Sequence, residues 1–370
     1  MRIGVVTEIK KNERRVALTP TGTREAVAHG HEVLVQKGAG VGSNITDDAY
    51  AAAGATLVDE ASAVITGCDL LVHVKEPQPE EIALLRPGQI LFTYLHLAAY
   101  PEVARGLMDR GVTAIAYETV TMADGSLPLL APMSYIAGRL AVQAGATTLE
   151  APYGGKGVLL GGYPGVPAAK VTVLGAGSAG MNAVDVAIGM GARVTLLDLD
   201  QSKLAHAEER WGTRVTTQFS SLESVEEWVL WADLVVGAVL VAGKRAPVLV
   251  TADHVRAMEP GTVLVDISID QGGCFATSHE TTHADPTYVV DGVVHYAVGN
   301  IPGAVPATST RALTNATMRY VVSLANGLRP ALESHPELVP GVNVAHGKIV
   351  NPAVADSLGL EAAPLDSVLG

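Results

Sequence analysis

The stretch VTVLGAGSAGMNAVDVAIGMGARVTLLD, residues 171–198, decides the fold of this chain. It begins with a four-residue strand, places Gly175, Gly177 and Gly180 in the spacing GxGxxG, and continues with a helical pattern and a second strand. In such a unit the first glycine permits a tight turn, the second lets the backbone approach a pyrophosphate, and the third lets helix and strand pack closely. Free N–H groups at the helix N-terminus attract phosphates. The stretch therefore predicts a dinucleotide-binding βαβ unit.

Asp198 ends the second strand of this unit. A carboxylate at this point accepts hydrogen bonds from the adenosine ribose and repels a 2′-phosphate, so the sequence favours NAD over NADP. Lys203 follows five residues later, and a cation there keeps NADP as an alternative. The other alternative is a glycine-rich turn that only connects a strand to a helix.

Short apolar runs alternate with helical patterns on both sides of this unit, and this alternation is typical of parallel α/β sheets. The runs, in chain order, are IGVV (3–6), EVLVQ (32–36), DLLVHVK (69–75), QILFTYLH (89–96), TAIAYE (113–118), KVTVLGAG (170–177), RVTLLDLD (193–200), DLVVGAVL (233–240), TVLVDIS (262–268) and VVHYAVGN (293–300). A chain of 370 residues also exceeds the usual size of a single core. We therefore predict an α/β fold with two doubly wound domains, the second a Rossmann dinucleotide-binding domain, and a cleft between them.

The domain boundaries follow from where the pattern changes. Thr19 and Pro20 predict the start of the first helix as N-cap and first helical residue. A long helix over about 134–150 and a glycine-rich loop separate the two series of strands, and helix returns over about 308–328. We predict a discontinuous substrate domain over 1–128 and 306–370, with an irregular tail from 351 to 368, and an NAD-binding domain over 129–305.

Composition excludes several classes of protein. The formal net charge of −13 argues against nucleic acid as a partner, because phosphate backbones require a basic face. The chain contains two cysteines, Cys68 and Cys274, which we expect to be core residues in a protein of the reducing cytoplasm. The N-terminal residues show no pattern of a secretion signal, and no apolar run is long enough to span a membrane.

Three polar residues follow predicted strands at their carboxyl ends, where ligands of parallel sheets bind. Lys75 ends DLLVHVK, His96 ends QILFTYLH, and Asp270 lies two residues beyond TVLVDIS. A solvated or capping role would explain any one of them, but all three together favour a substrate site. Arg15 or its neighbour Arg14 precedes the first helix and could clamp a carboxylate through two hydrogen bonds, while a surface ion pair is the alternative for either.

Several motifs together resemble the alanine dehydrogenase family, and the resemblance runs almost from end to end. The motifs are EIKKNERRVALTP (8–20), VKEP (74–77), LHLAA (95–99), LAPMS (130–134), DISIDQGGCF (266–275) and VPATSTRALTNAT (305–317). This resemblance implies a cytoplasmic homohexamer that uses NAD in the reversible conversion of L-alanine to pyruvate and ammonium. Such an enzyme would serve L-alanine catabolism.

The resemblance also implies roles for single residues. Arg15 and Lys75 would bind the substrate, and His96 and Asp270 would be catalytic. The cofactor-binding set would be Ser134, Gly175, Gly177, Ser178, Ala179, Gly180, Asp198, Lys203, Ser220, Val239, Leu240, Ile267, Asp270, His279, Val298, Asn300 and Ile301.

Two positions depart from some relatives. His279 stands where an arginine is expected to contact the cofactor, and Ser323 and Gly327 replace a Glu and a His that suit a metal, so we predict no metal. Three alternatives stay open: a related dehydrogenase that acts on another amino acid, a transhydrogenase subunit, and a catalytically silent NAD-binding protein.

Overall fold

The structure is a computed structural model that describes residues 1–239 and 246–369. It divides into two compact units, which we call the first unit (Met1–Met133 with Val305–Gly370) and the second unit (Ser134–Ala304). These boundaries lie within five residues of those predicted from the sequence. The assignment of substrate to the first unit and cofactor to the second stays a prediction.

The strands of the described residues are β1 Arg2–Val5, β2 Glu32–Gln36, β3 Thr56–Val58, β4 Leu70–Val72, β5 Ile90–Thr93, β6 Thr113–Ala116, β7 Lys170–Leu174, β8 Arg193–Asp198, β9 Val215–Phe219, β10 Leu234–Gly237, β11 Val263–Asp266, β12 Thr287–Val290, β13 Val293–Tyr296, β14 Val342–Ala345 and β15 Lys348–Ile349. The α-helices are α1 Pro20–Ala28, α2 Asp47–Ala52, α3 Ala61–Gly67, α4 Pro79–Ile82, α5 Pro101–Arg110, α6 Ala131–Thr148, α7 Ser178–Gly189, α8 Gln201–Trp211, α9 Leu222–Trp231, α10 Ala252–Ala257, α11 Pro306–Asn326, α12 Leu328–Ser334, α13 Pro352–Leu358 and α14 Leu365–Leu369.

The sheet of the first unit has the order β15-β14-β6-β5-β4-β1-β2-β3 over the described residues. The strands from β6 to β3 are parallel, whereas β14 and β15 add an antiparallel edge. The chain runs outward from β1 through β2 and β3, and then returns to β4 on the other side of β1. This reversal creates a switch point between β1 and β4, where open α/β sheets bind ligands.

The sheet of the second unit has the order β12-β13-β11-β10-β7-β8-β9 over the same described part of the chain. Its strands are parallel except for β12, and its switch point lies between β7 and β10. Strands such as β10 and β11 are buried at every residue, as expected when helices cover both faces of a sheet. The predicted fold class of two doubly wound α/β units is confirmed.

The predicted elements are mostly confirmed, but several strands are shorter than their apolar runs. Thr19 caps α1 by accepting a hydrogen bond from the N–H of Gly22, with Pro20 as the first helical residue, as predicted. The run at 69–75 forms a strand only over Leu70–Val72, and the run at 89–96 only over Ile90–Thr93. Their last residues leave the sheet because their backbone N–H groups bond to glutamate side chains, described below.

The prediction for the C-terminal tail was wrong. Residues 351–368 contain α13 and α14 rather than irregular chain. Asn351 accepts a hydrogen bond from the N–H of Val354, and Pro352 occupies the first helical position. The hairpin of β14 and β15 was also missed; its turn residues His346 and Gly347 both have positive φ, at 44° and 81°.

Both cysteines are buried core residues, as predicted. Burial raises the pKa of Cys68 to about 11, so its thiol is inert at neutral pH. Among the described residues, no helix has both the length and the apolarity needed to cross a bilayer.

Candidate active site

Arg15 lies in the loop that follows β1, at the switch point of the first unit. Its guanidinium donates to both carboxylate oxygens of Glu13, with distances of 2.7 Å from Nε to Oε1 and 2.5 Å from Nη2 to Oε2. Both side chains are 1% exposed. Burial by itself would lower the pKa of Arg15, but hydrogen bonds and attraction from Glu13 outweigh it and raise that pKa. The site thus holds a permanent, oriented cation.

The structure separates Arg15 from Arg14, which the sequence could not do. Arg14 is exposed, whereas Arg15 is buried and its Nη1 lies 3.0 Å from the sulfur of Met133 at the start of α6. Both arginines line a cavity with Glu8, Glu13 and Gly42. Only Arg15 is fixed in orientation by a bidentate partner, which is the property a carboxylate clamp needs.

Lys75 follows β4, and its backbone is fixed by side chains from neighbouring strands. Glu8, which follows β1, accepts the N–H groups of Val74 at 2.7 Å and of Lys75 at 3.1 Å. The carbonyl of Lys75 accepts the hydroxyl of Thr93 on β5 at 2.7 Å. The half-buried Lys75 therefore projects from a loop whose path is fixed on both sides.

His96 follows β5 and has a left-handed backbone, with φ of 47°. A non-glycine residue in this conformation is strained and needs compensating contacts. Glu118 provides them: its carboxylate accepts the N–H of His96 at 2.6 Å and that of Leu95 at 3.2 Å. The same carboxylate lies 4.0 Å from Nδ1 of the imidazole, which is about one-third exposed.

Tyr94 connects these residues within the first unit. Its ring stacks on the imidazole of His96 with centroids 5.9 Å apart, and its hydroxyl donates to the carbonyl of Leu129 at 2.6 Å. Burial raises the pKa of Tyr94, while the positive charge of Arg15 opposes that rise. The structure thus brings Arg15, Lys75 and His96 to the carboxyl ends of β1, β4 and β5, which are adjacent strands.

The glycine-rich turn of the second unit has the shape that a dinucleotide needs. Gly175 has φ of 101°, and a Cβ built on Gly180 would lie 1.7 Å from the carbonyl oxygen of Gly175. A Cβ on Gly177 would meet nothing within 4 Å, so this glycine borders open space at the N-terminus of α7. Within the described residues, no side chain caps that terminus. Its N–H groups and open cradle fit a pyrophosphate.

Asp198 lies at the end of β8, next to this turn. Its carboxylate accepts the N–H of Ala176 at 2.6 Å through one oxygen and the N–H of Asp200 at 2.8 Å through the other. Ser220 donates its N–H to the carbonyl of Asp198 at 2.9 Å. Lys203 is exposed and its ammonium lies 3.9 Å from Asp200. Asp198 therefore fixes the glycine turn and keeps lone pairs for a ribose.

The helix that contains Ser134, α6, packs tightly against the first turn of α7. Ser134 is half-buried in the first turn of α6. A Cβ on Gly138, four residues further along α6, would lie 2.0 Å from the carbonyl oxygen of Ala179. This tight contact, which only glycine allows, places α6 against Ser178 and Ala179 at the N-terminus of α7.

Asp270 is exposed and lies in a short 3₁₀ helix after β11. Its carboxylate accepts the N–H of Asn300 at 3.2 Å and 3.4 Å, which links the loop after β11 to the loop after β13. Ser268 donates its hydroxyl to the carbonyl of Val239 at 2.7 Å, which links the same loop to β10. Three loops thus meet at the carboxyl edge of this sheet.

The apolar members of the predicted cofactor set differ in burial. Val298 is 0% and Ile301 is 3% exposed, and both pack against Ala137. Their side chains belong to the core, so contact with a cofactor would involve their backbone atoms. Val239 and Ile267 are half-buried. Leu240 lies outside the described residues.

His279 is exposed and packs on a second ring. Its imidazole stacks on the ring of Tyr288, with centroids 3.6 Å apart. The backbone N–H of His279 donates to the Tyr288 hydroxyl at 2.8 Å. An imidazole that packs on Tyr288 therefore stands where an arginine is expected. No group of three or more His, Cys, Asp or Glu side chains in residues 1–239 and 246–369 could hold a metal, and the absence of a metal stays a prediction.

Three carboxylates that the sequence motifs did not predict hold the predicted residues in place: Glu8, Glu13 and Glu118. Glu118 ends the predicted run TAIAYE, so the same rule of polar residues at strand ends identifies it. Glu8 and Glu13 follow β1 and carry the same signal. Asp266, at the end of β11, similarly accepts the N–H groups of Ser268 and Cys274, each at 3.0 Å.

Comparisons with known proteins agree with this geometry. Residues 4–137 match the family described as alanine dehydrogenase/PNT, N-terminal domain, and residues 141–352 match the corresponding C-terminal domain. The alanine dehydrogenases of Halomonas elongata and Mycobacterium tuberculosis are each 53% identical to this chain, over 100% of both chains. That of Bacillus subtilis is 50% identical over 100% of this chain and 98% of its own.

Solved structures lead to the same family. An L-alanine dehydrogenase superimposes with a TM-score of 0.94 at 49% identity, covering 97% of this chain and 99% of its own. A transhydrogenase from Sinorhizobium meliloti has a TM-score of 0.79 at 26% identity, covering 95% and 100%. A dehydrogenase with this glycine-rich turn uses a nicotinamide cofactor. On the strength of both domain matches and of identities near one-half over the full length, this chain belongs to the alanine dehydrogenase/PNT family.

Proposed function

We propose that this protein is an L-alanine dehydrogenase, which catalyses the reversible reaction of L-alanine, NAD⁺ and water to pyruvate, ammonium, NADH and a proton. The observation that carries the proposal is the arrangement in the first unit: Arg15, Lys75 and His96 follow adjacent parallel strands, and a glutamate fixes each of them. Such a site provides a cation for a carboxylate, a cation for a carbonyl oxygen and a titratable imidazole.

The second unit would hold the cofactor. The N–H groups at the start of α7 would bind the pyrophosphate, and Asp198 would accept the ribose hydroxyls, which favours NAD over NADP. The remaining contacts would come from Ser134, Ser178, Ala179, Lys203, Ser220, Val239, Ile267, His279 and the backbone of Val298, Asn300 and Ile301. The chemistry supplied by bound NAD is acceptance of a hydride from the substrate α-carbon.

The protein's own residues perform the other steps. Arg15 binds the substrate carboxylate through its guanidinium, whose orientation Glu13 fixes, and this sets the orientation of the α-carbon. Lys75 stabilises negative charge that develops on the oxygen of the carbinolamine, which forms when water attacks the iminium. His96 and Asp270 accept and return protons of this water and of the amine.

Two broader proposals follow from the resemblance and the composition. We propose that the protein acts in the cytoplasm, since its two cysteines are buried thiols of the kind that reducing compartments favour. We also propose that it assembles as a homohexamer, and sedimentation of the purified protein tests this. A monomer at micromolar concentration would contradict the assembly without affecting the proposed reaction.

A spectrophotometric assay of the purified protein tests the proposed reaction. NADH should form with NAD and L-alanine much faster than with glycine, L-serine or L-lysine, and should disappear with pyruvate and ammonium. His96→Ala and Asp270→Asn should lower turnover by about 10²- to 10⁴-fold, because each removes a proton-transfer group. NADH binding without turnover of any amino acid would contradict the proposal and favour a catalytically silent protein; preference for another amino acid would favour a related dehydrogenase.

A further inference from the structure

His73 is a buried histidine next to the proposed substrate site, and the proposed reaction does not use it. It follows β4 two residues before Lys75 and is 1% exposed. Its ring lies between two buried glutamates that come from different elements. Glu8 follows β1, and Glu81 lies in α4.

In the part of the chain that the structure describes, the contacts of the His73 ring nitrogens are all with acceptors. On one side, Nδ1 lies 2.8 Å from the carbonyl oxygen of Lys75 and 3.1 Å from Oε1 of Glu8. On the other side, Nε2 lies 3.0 Å from Oε1 of Glu81. A neutral imidazole would direct a lone pair at one of these oxygens, whereas an imidazolium donates on both sides.

The two glutamates are themselves satisfied as carboxylates. Glu8 accepts the N–H groups of Val74 and Lys75, and the second oxygen of Glu81 accepts the N–H of Gln78 at 2.8 Å. A proton on either carboxyl group would therefore have to displace one of these contacts or point at the imidazole. A cation between the two carboxylates stabilises this arrangement, because Arg15 attracts Glu8 from the side of the cavity but a neutral imidazole would leave the buried Glu81 facing a lone pair or a single N–H.

We infer that His73 is a positioning residue that stays protonated at neutral pH, and that its imidazolium joins Glu8 and Glu81 and fixes the backbone of Lys75 for substrate binding. The inference that this matters for substrate binding rests on the proposed role of Lys75. Burial opposes the charged form of His73, but attraction and hydrogen bonds from Glu8 and Glu81 outweigh it and raise its pKa well above the ordinary value. No bond is made or broken by this residue; it acts through Lys75.

Neutron crystallography of the full-length protein tests the protonation without any variant. At about pH 8.5 an ordinary histidine is roughly 99% neutral. We expect exchangeable hydrogens on both Nδ1 and Nε2 of His73 under these conditions. A hydrogen on only one ring nitrogen would overturn the inference, whatever the outcome of the activity assays.

A double-mutant cycle tests the link to Lys75. His73→Gln should raise KM for pyruvate by about 10- to 100-fold, the usual effect of losing hydrogen bonds to charged groups, with the NADH Kd unchanged. A merely structural role would instead reduce the amount of active enzyme, and hence apparent kcat, at constant KM. His73→Lys, which keeps a cation between the glutamates, should recover part of the loss. In the background of Lys75→Gln, His73→Gln should have no further effect on KM.

The outcomes separate the two proposals. If Lys75→Gln leaves KM unchanged, the proposed role of Lys75 is wrong, and the neutron result still decides the protonation of His73. If Lys75→Gln raises KM but His73→Gln does not, only the positioning role of His73 is wrong. If His73→Gln fails to fold, the partial recovery by His73→Lys and the neutron result decide the inference.

Discussion

Glu118 accepts the backbone N–H of His96 at 2.6 Å and so holds this histidine in a left-handed conformation, with φ of 47°. The carboxylate comes from the end of β6 and the imidazole from the end of β5, two strands that pair in parallel. A rare backbone conformation at a proposed catalytic residue is thus stabilised by a charged acceptor from the neighbouring strand.

Glu118→Gln should lower kcat/KM for pyruvate by about 10- to 100-fold, because a charged acceptor of two backbone N–H groups becomes a neutral one. NADH affinity, measured by fluorescence titration, should not change. Glu102→Gln makes the same chemical change at an exposed position of α5 and serves as the matched control. Equal kinetics of both variants would show that Glu118 does not position His96.

Two glycines of the turn after β7, Gly177 and Gly180, differ in their surroundings, and alanine substitutions can therefore separate their functions. Gly177→Ala adds a methyl group in open space, so it should change the free energy of unfolding by no more than about 1 kcal/mol. It should nevertheless weaken NADH binding by at least about tenfold, because the methyl group occupies the proposed pyrophosphate site.

Gly180→Ala is the matched counterpart, because its methyl group would lie 1.7 Å from a carbonyl oxygen inside the second unit. Overpacking of this kind costs about 1–3 kcal/mol or more, so the Tm should fall by several degrees. Gly180→Ala should therefore lower the Tm more than Gly177→Ala does, whereas Gly177→Ala should raise the NADH Kd more than Gly180→Ala does. The same loss of NADH binding in both, with no difference in Tm, would remove the assignment of Gly177 to the pyrophosphate.

Much of this architecture could be predicted from the sequence because its signals are local. Thr19 and Pro20 mark the start of α1, and the glycine spacing after β7 marks the cofactor turn, since each depends on backbone geometry within a few residues. The choice between Arg14 and Arg15 could not be predicted, because it depends on which side chain the tertiary structure buries. Glu8 and Glu118 carry a strand-end signal, but the residues that they hold could not be predicted, because these contacts join different strands.

Asp198→Ala should shift cofactor preference toward NADP. The ratio of kcat/KM with NADP to that with NAD should rise by about tenfold or more, because a charge that repels the 2′-phosphate and a ribose acceptor are both removed. Activity with NAD should also fall, because the N–H of Ala176 loses its acceptor. Asp200→Asn removes a charge two residues away and keeps the cap of α8. If Asp200→Asn shifts cofactor preference as much as Asp198→Ala does, the proposed ribose contact of Asp198 is wrong. The loss of negative charge near the site would then explain the shift in both variants.

The raised pKa of His73 predicts how stability depends on pH. A histidine whose pKa is higher in the folded than in the unfolded protein contributes stability that is fully present below about pH 6.5 and is lost as the pH rises through the folded-state value. The difference in urea stability between the wild-type protein and His73→Gln should therefore be largest near about pH 6 and shrink steadily above it. A difference that is constant with pH would mean that His73 is not held charged by Glu8 and Glu81.

Arg15→Lys tests whether the buried arginine binds the substrate carboxylate as a planar fork or only as a charge. Lysine keeps the charge but cannot hold Glu13 and a second carboxylate through paired hydrogen bonds. KM for pyruvate and for L-alanine should rise by about 10- to 100-fold, with the NADH Kd unchanged. Arg14→Lys changes the exposed neighbour in the same way and should leave both KM values within about twofold, since surface charges contribute little. The opposite ranking of the two variants would assign the clamp to Arg14 and make the Arg15–Glu13 pair a structural one.

Arg15→Ala should lower the Tm more than Arg15→Lys does, because it leaves the buried Glu13 without a partner. This comparison separates loss of stability from loss of substrate binding.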